Sequence, residues 1–151
     1  MSAAHLESPP YRTPEEVETL VRRFESCALA REEWTHAAHL TVALWYLLYH
    51  TWPDAVSLTR DGIKRFNHAH GILTTPTGGY HETLTLFWLK LVRRYLHDAS
   101  HSDTSLVALA NNLILHYAHK DLPLRYYTRT RLFSPEARAG WIEPDLKSLD
   151  E

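Results

Sequence analysis

Two short stretches of this 151-residue chain carry side chains whose type and spacing could do chemistry. In Trp34-Thr35-His36-Ala37-Ala38-His39-Leu40, two histidines stand three residues apart. Three residues is close to one helical turn, so both imidazoles fall on neighbouring positions of one helix face. Thr35 is an N-cap residue by type, which places both rings in the first turn or just beyond it. The helix dipole disfavours imidazolium there, and a neutral ring can ligate a metal or accept a proton. A third histidine occurs in Gly79-Tyr80-His81-Glu82-Thr83, at a second expected helix start.

His36, His39 and His81 together offer three neutral nitrogens and Glu82 an oxygen, a donor set that suits Zn, Fe, Ni or Mn. Three protein ligands leave a position for water, whose pKa such a metal lowers towards neutrality. The expected activity is therefore that of a small-molecule enzyme of hydrolase or lyase/hydratase type. His36, His39 and His81 would hold the divalent metal, and Glu82 would be fourth ligand or base. Adjacent residues lie about 100° apart on a helix, so Glu82 can join His81 only if the helix begins late. Its competing role is that of a first-turn carboxylate stabilised by the helix dipole.

Tyr80 and Asn67 complete the candidate catalytic set, Asn67 because it interrupts an otherwise apolar helix face. Tyr46 and Trp88 are candidate substrate contacts. Arg131 and Arg138, in a tail that also holds Arg125, Arg129 and two tyrosines, suit capture of an anionic small molecule. Two other readings use the same residues. One is a metal-free acid–base enzyme or small-ligand-binding bundle; the other is a non-catalytic interaction protein whose histidines are satisfied in the core. Cys27, assigned to the core face of the first helix, has nothing nearby to activate it. Neither a nucleophile elbow nor a phosphate-binding glycine loop is present.

The elements that must position these groups are all helical. Thr13-Pro14-Glu15-Glu16 is a capped start for a helix to about Leu29. The stretch Thr35–His50 is apolar nearly all round, as expected of a helix buried at the centre of its domain, with His36, His39 and His50 inside. A third helix opens at Pro53-Asp54 and ends at Gly71. A fourth runs from about Tyr80 to His97. A fifth, capped by Ser102 or Asp103, runs to about Lys120 with His116 on its inner face, and Pro123 forbids continuation. Ser134-Pro135-Glu136 is a further start signal. The expected fold is all-α: one domain over residues 1–151, a bundle of about five helices around 35–50. Residues 1–12 form a flexible arm and 124–151 a packed tail or lid.

Composition bounds the partners. Hydrophobic residues at 44% and charged residues at 23% are the balance of a globular chain able to bury a core. A formal charge of -2 gives a nucleic-acid backbone or an anionic membrane nothing to hold. The longest apolar run, Val42–Tyr49, is too short to span a bilayer. The polar, proline-containing first ten residues predict no signal peptide, and a lone cysteine fits a reducing cytoplasm. A small-molecule ligand is the expected partner, and a homodimer is compatible with this balance.

With the motifs W-T-H-x-A-H-L and G-Y-H-E-T, and a tail of Phe133-Ser134-Pro135-Glu136-Ala137-Arg138 followed by Trp141 and Pro144-Asp145, the chain resembles a family of small bacterial helical proteins of uncharacterised function. That resemblance implies a helical fold and brings no reaction with it. A looser likeness, of architecture alone, is to DinB-like bundles that hold a divalent metal with three histidines. Their closely spaced H-x-x-x-H pair is absent here, so no residue is carried over.

Overall fold

The computed structural model describes residues 8–99 and 105–150, and those residues form an all-helical bundle. Helix α1 spans Pro14–Glu25. Thr13 and Glu16 close a capping box, each side chain taking the other's backbone N–H. The helix stops four residues before Leu29. Cys27 adopts a left-handed backbone at φ 62°, and the N–H groups of Ala28 and Leu29 both donate to the Arg23 carbonyl. Cys27 therefore leaves the helix face on which its spacing placed it, while Leu29 turns back into the core beside Val21 and Phe24.

Helix α2, His36–Tyr49, begins where the sequence places it, with Thr35 Oγ1 accepting the Ala38 N–H at 3.2 Å. It packs against α1, α3 (Trp52–Ala69), α4 (Glu82–Ala99) and α5 (Leu106–His116), which explains its apolar circumference. Two core clusters meet on it. Leu40 and Leu44 join Phe87, Leu89 and Leu113 on one side. Val42 and Tyr46 join Phe24, Ala55 and Phe66 on the other. The one polar interruption, Thr41, is buried and fully used, donating to the Ala37 carbonyl and hydrogen-bonded to Tyr11. Tyr11 is also bonded through its backbone to Asn111, so the expected loose arm is anchored there. Residues 1–7 of that arm lie outside the described residues.

His50 is exposed rather than inside, because the chain leaves the helix at this C-cap with an extended backbone. Helix α3 ends as expected at Gly71, φ 70°, and opens at Trp52, one residue before Pro53, behind Thr51, whose Oγ1 accepts the Asp54 N–H. Helix α4 starts two residues later than Tyr80. Helix α5 is capped by Ser105 and ends at His116, which is exposed. The expected caps Ser102 and Asp103 lie outside the described residues. Beyond the turn at Pro123 the tail forms two short helices, α6 (Arg129–Leu132) and α7 (Pro135–Ala139). It is packed as expected: Tyr126, Tyr127, Leu132 and Ala137 are buried, and α7 lies against α4. Among the described residues no helix is long and apolar enough to cross a membrane.

Candidate functional site

The late start of α4 has a local cause in His81. Its Nδ1 accepts the Leu84 N–H at 3.1 Å, the job an N-cap side chain does, while its carbonyl accepts from Thr85. Its Nε2 donates to the Leu132 carbonyl in the tail at 2.7 Å. One neutral tautomer satisfies both bonds, and burial lowers the pKa against the opposing pull of that carbonyl. Both ring nitrogens are thus committed to the main chain.

Glu82 is equally committed. Arg60, midway along α3, donates from Nε at 3.0 Å and Nη2 at 2.6 Å, and the Tyr80 hydroxyl adds a third bond at 2.6 Å. Three acceptor sites of the carboxylate are filled in a buried setting. Burial by itself would raise the Glu82 pKa, but these bonds outweigh it and hold the group ionised. Tyr80 is pushed the other way, first by burial and then by its bond to Glu82. The late start that would allow Glu82 to join His81 does occur, yet Arg60 captures the carboxylate.

The other two histidines are bonded once each. His36 Nε2 donates to the Tyr117 carbonyl at 2.8 Å, and its ring meets Trp88 edge-on at 4.7 Å. His39 Nδ1 donates to the Thr35 carbonyl at 2.7 Å, and its ring stacks on Trp34 at 3.7 Å. Those bonds fix the tautomers, leaving lone pairs on His36 Nδ1 and His39 Nε2 that have no partner among the described residues. Desolvation lowers both pKa values, that of His39 to about 4, so both rings are neutral at pH 7.

Between α2, α3 and α4 lies a cavity of about 450 Å³. Trp34, Trp88, Tyr80, Leu84 and Ile63 give it apolar walls, and His36, His39, His81, Thr59 and Asn67 give it polar points. The Thr59 hydroxyl is buried, shielded even from the cavity space, with no hydrogen-bond partner among the described residues. Asn67, 9% exposed, makes no side-chain bond among the described residues. A buried hydroxyl left unpaired costs about 1–3 kcal/mol.

No protein-family model matches the chain, and no curated protein or solved structure matches it significantly. The site therefore stands on its geometry. The structure gathers His36, His39, His81, Asn67, Tyr80 and Trp88 around one cavity. It does not give the three imidazoles a shared opening for an ion, since His81 has no nitrogen to spare and Glu82 is taken by Arg60. Among the described residues no group of three or more His, Cys, Asp or Glu side chains is arranged to hold a metal. Tyr46 lies away from the cavity, its hydroxyl donating to Glu25 at 2.7 Å. Arg131 is also elsewhere, exposed and bonded to the Glu143 carbonyl. Arg138 reaches across from α7 to the Gly79 and Tyr80 carbonyls.

Arg60 and Thr59 escape a reading that looks for chemistry among histidines. The signal for Arg60 was present: with Val56, Ile63 and Asn67 it falls at helical spacing on the inward stripe of α3, and a cation on such a stripe requires a buried partner. Thr59 is recognisable as important only once its hydroxyl is found without an acceptor.

Proposed function

We propose that the protein is a small-molecule-binding helical bundle. Its ligand presents a flat apolar body to Trp34, Trp88 and Tyr80, and hydrogen-bonding groups to Asn67 and the neutral imidazoles of His36 and His39. The unspent ring nitrogens of His36 and His39 on the wall of an aromatic cavity are the observation that carries this reading. A cavity of about 450 Å³ has room for a one- or two-ring molecule, and apolar walls with a few convergent polar points are the usual make-up of such sites. Metal-activated hydrolysis or hydration needs a third ligand nitrogen, which His81 could supply only by abandoning the cap of α4. Binding uses the groups as they stand.

Naphthylmethanol, a neutral two-ring body with one hydroxyl, is a suitable probe. Added in increasing amounts, it is expected to raise the melting temperature progressively, because a ligand bound only by the native state stabilises that state. It is also expected to move the ring NMR signals of His36 and His39. A flat melting temperature up to the solubility limit, with both histidine signals unmoved, would sink the proposal.

A further inference from the structure

A second recess, of about 610 Å³, adjoins the histidine cavity, and Asn67, Ile72 and Tyr80 line both. Its charged walls are Arg60, Lys64 and Arg138 against the single carboxylate of Glu82, which leaves a local positive surplus in a chain whose formal charge is -2. Glu82 neutralises Arg60 through the two-pronged bond already described, so the surplus belongs to Lys64 and Arg138. Lys64 is exposed, sits over the Tyr80 ring with Nζ 5.0 Å from its centroid, and has no carboxylate partner among the described residues. Arg138 spends Nη1 on the carbonyls of Gly79 and Tyr80 and brings its charge to the recess wall, while its Nε is shielded from the recess and has no acceptor among the described residues.

The recess is built rather than incidental. Its rim is the loop from Gly71 to Gly79, which folds back so tightly that a Cβ on Gly79 would stand 2.5 Å from the Leu73 carbonyl oxygen. Gly79 holds φ 83°, which only glycine adopts at little cost. Arg138, from the far end of the chain, then clamps that loop by the bonds to Gly79 and Tyr80. Asn67 stands at the junction of the two spaces, its amide unbonded among the described residues.

We propose that the ligand of this protein is an amphipathic anion. Its aromatic body fills the histidine cavity and its carboxylate or phosphate lies in the adjoining recess, held by Lys64 and Arg138 with the Asn67 amide between. This rests on the cavity reading above and adds the charge and position of the head group. An exposed lysine on the recess with no ion pair of its own among the described residues favours an anion, because each charge-assisted hydrogen bond is about twice as strong as a neutral one. Closeness to the aromatic cavity makes inorganic phosphate by itself a poor ligand.

The test compares naphthylmethanol, naphthoate, naphthyl phosphate and inorganic phosphate on the full chain by calorimetry at low salt. At least one of the two aryl anions is expected to bind about tenfold or more tightly than the alcohol, the size of one good charged contact. Whichever of naphthoate and naphthyl phosphate binds better identifies the head group. Lys64→Gln, an exposed change that leaves the core untouched, is expected to remove most of that advantage, as is raising the salt. Arg138→Gln is expected to act likewise, with its melting temperature followed because it also releases the loop. Equal binding of alcohol and anions would overturn the anion proposal and leave the cavity reading standing. Tight binding of inorganic phosphate with no binding of the alcohol would overturn both. An anion preference unchanged in Lys64→Gln and in Arg138→Gln would overturn the assignment to this recess.

Discussion

At the start of α4, His81 gives one ring nitrogen to the Leu84 N–H and the other to the Leu132 carbonyl, and Glu82 beside it accepts three bonds. At the start of α2, His36 and His39 each give one nitrogen to a carbonyl and keep a lone pair beside an aromatic cavity. The two corners have the same ingredients: a helix start, neutral imidazole and surrounding aromatics. They differ in what the rest of the chain brings to them. The tail and α3 reach the α4 corner with a carbonyl and a guanidinium and use it up. Nothing comparable reaches the second nitrogens of the α2 corner. A histidine at a helix start is thus a joint when the fold supplies two partners and a candidate ligand contact when it supplies one.

The contrast predicts its largest effect at Glu82. Glu82→Ala strands Arg60 and the Tyr80 hydroxyl at once, and is expected to cost about 3 kcal/mol, less than a fully buried pair because Arg60 is partly exposed. Denaturant unfolding measures this, and a loss under about 1 kcal/mol would remove Glu82 from the structural side. His81→Ala should cost about 2 kcal/mol by leaving the Leu132 carbonyl and the Leu84 N–H unpaired. Each of these far exceeds the expected cost of His39→Gln, about 1 kcal/mol or less, whose main consequence is weaker binding of the aromatic probe.

Thr59→Val goes the other way. It removes an unpaired buried hydroxyl at nearly constant volume, so the free protein is expected to be as stable as the parent or up to about 1 kcal/mol more so. Probe affinity should stay close to the parent's, because the hydroxyl is shielded from the cavity space. A marked destabilisation would mean that Thr59 has a structural partner, and would place it with the used-up groups of the α4 corner.

A pH series sharpens the comparison further. His39 titrates near 4 when folded against an ordinary value of 6.5, so below 6.5 the unfolded chain takes up a proton that the native ring refuses. Its contribution is complete above pH 6.5 and is lost as the pH falls towards 4. His39→Gln is therefore expected to flatten part of the fall in melting temperature over that window. A slope identical to the parent's would show that the ring is not held neutral. The smallest expected effect is that of chelation. Exhaustive dialysis against a chelator should leave melting and probe binding unchanged, whereas a lowered melting temperature restored by zinc would return the three histidines to a shared role.

Much of the fold was legible because its causes are local. Thr13, Thr35 and Ser134 each cap the helix their position announces, and Gly71 ends α3. The apolar circumference of α2 identified the central helix, since only a helix covered on all sides can afford that pattern. Less legible were two ends that no familiar signal marks. Helix α1 stops at Glu25 because the chain must return Leu29 to the core, and α4 starts late because its cap is an imidazole, a residue type that capping preferences do not flag.

For the site, the sequence by itself placed His36, His39 and His81 at helix starts that hold their rings neutral, though it also turned His50 and His116 inward, where the structure exposes them. Tertiary structure alone decided what each ring touches. His81 meets Leu132 across 51 positions and Glu82 meets Arg60 across 22. Local propensity fixes a side chain's direction, but its hydrogen-bonding capacity is finite and goes to whichever partners packing brings near first. At Trp34–Leu40 packing brought one partner per ring and left a cavity, and that difference in supply is why the chemistry is assigned there.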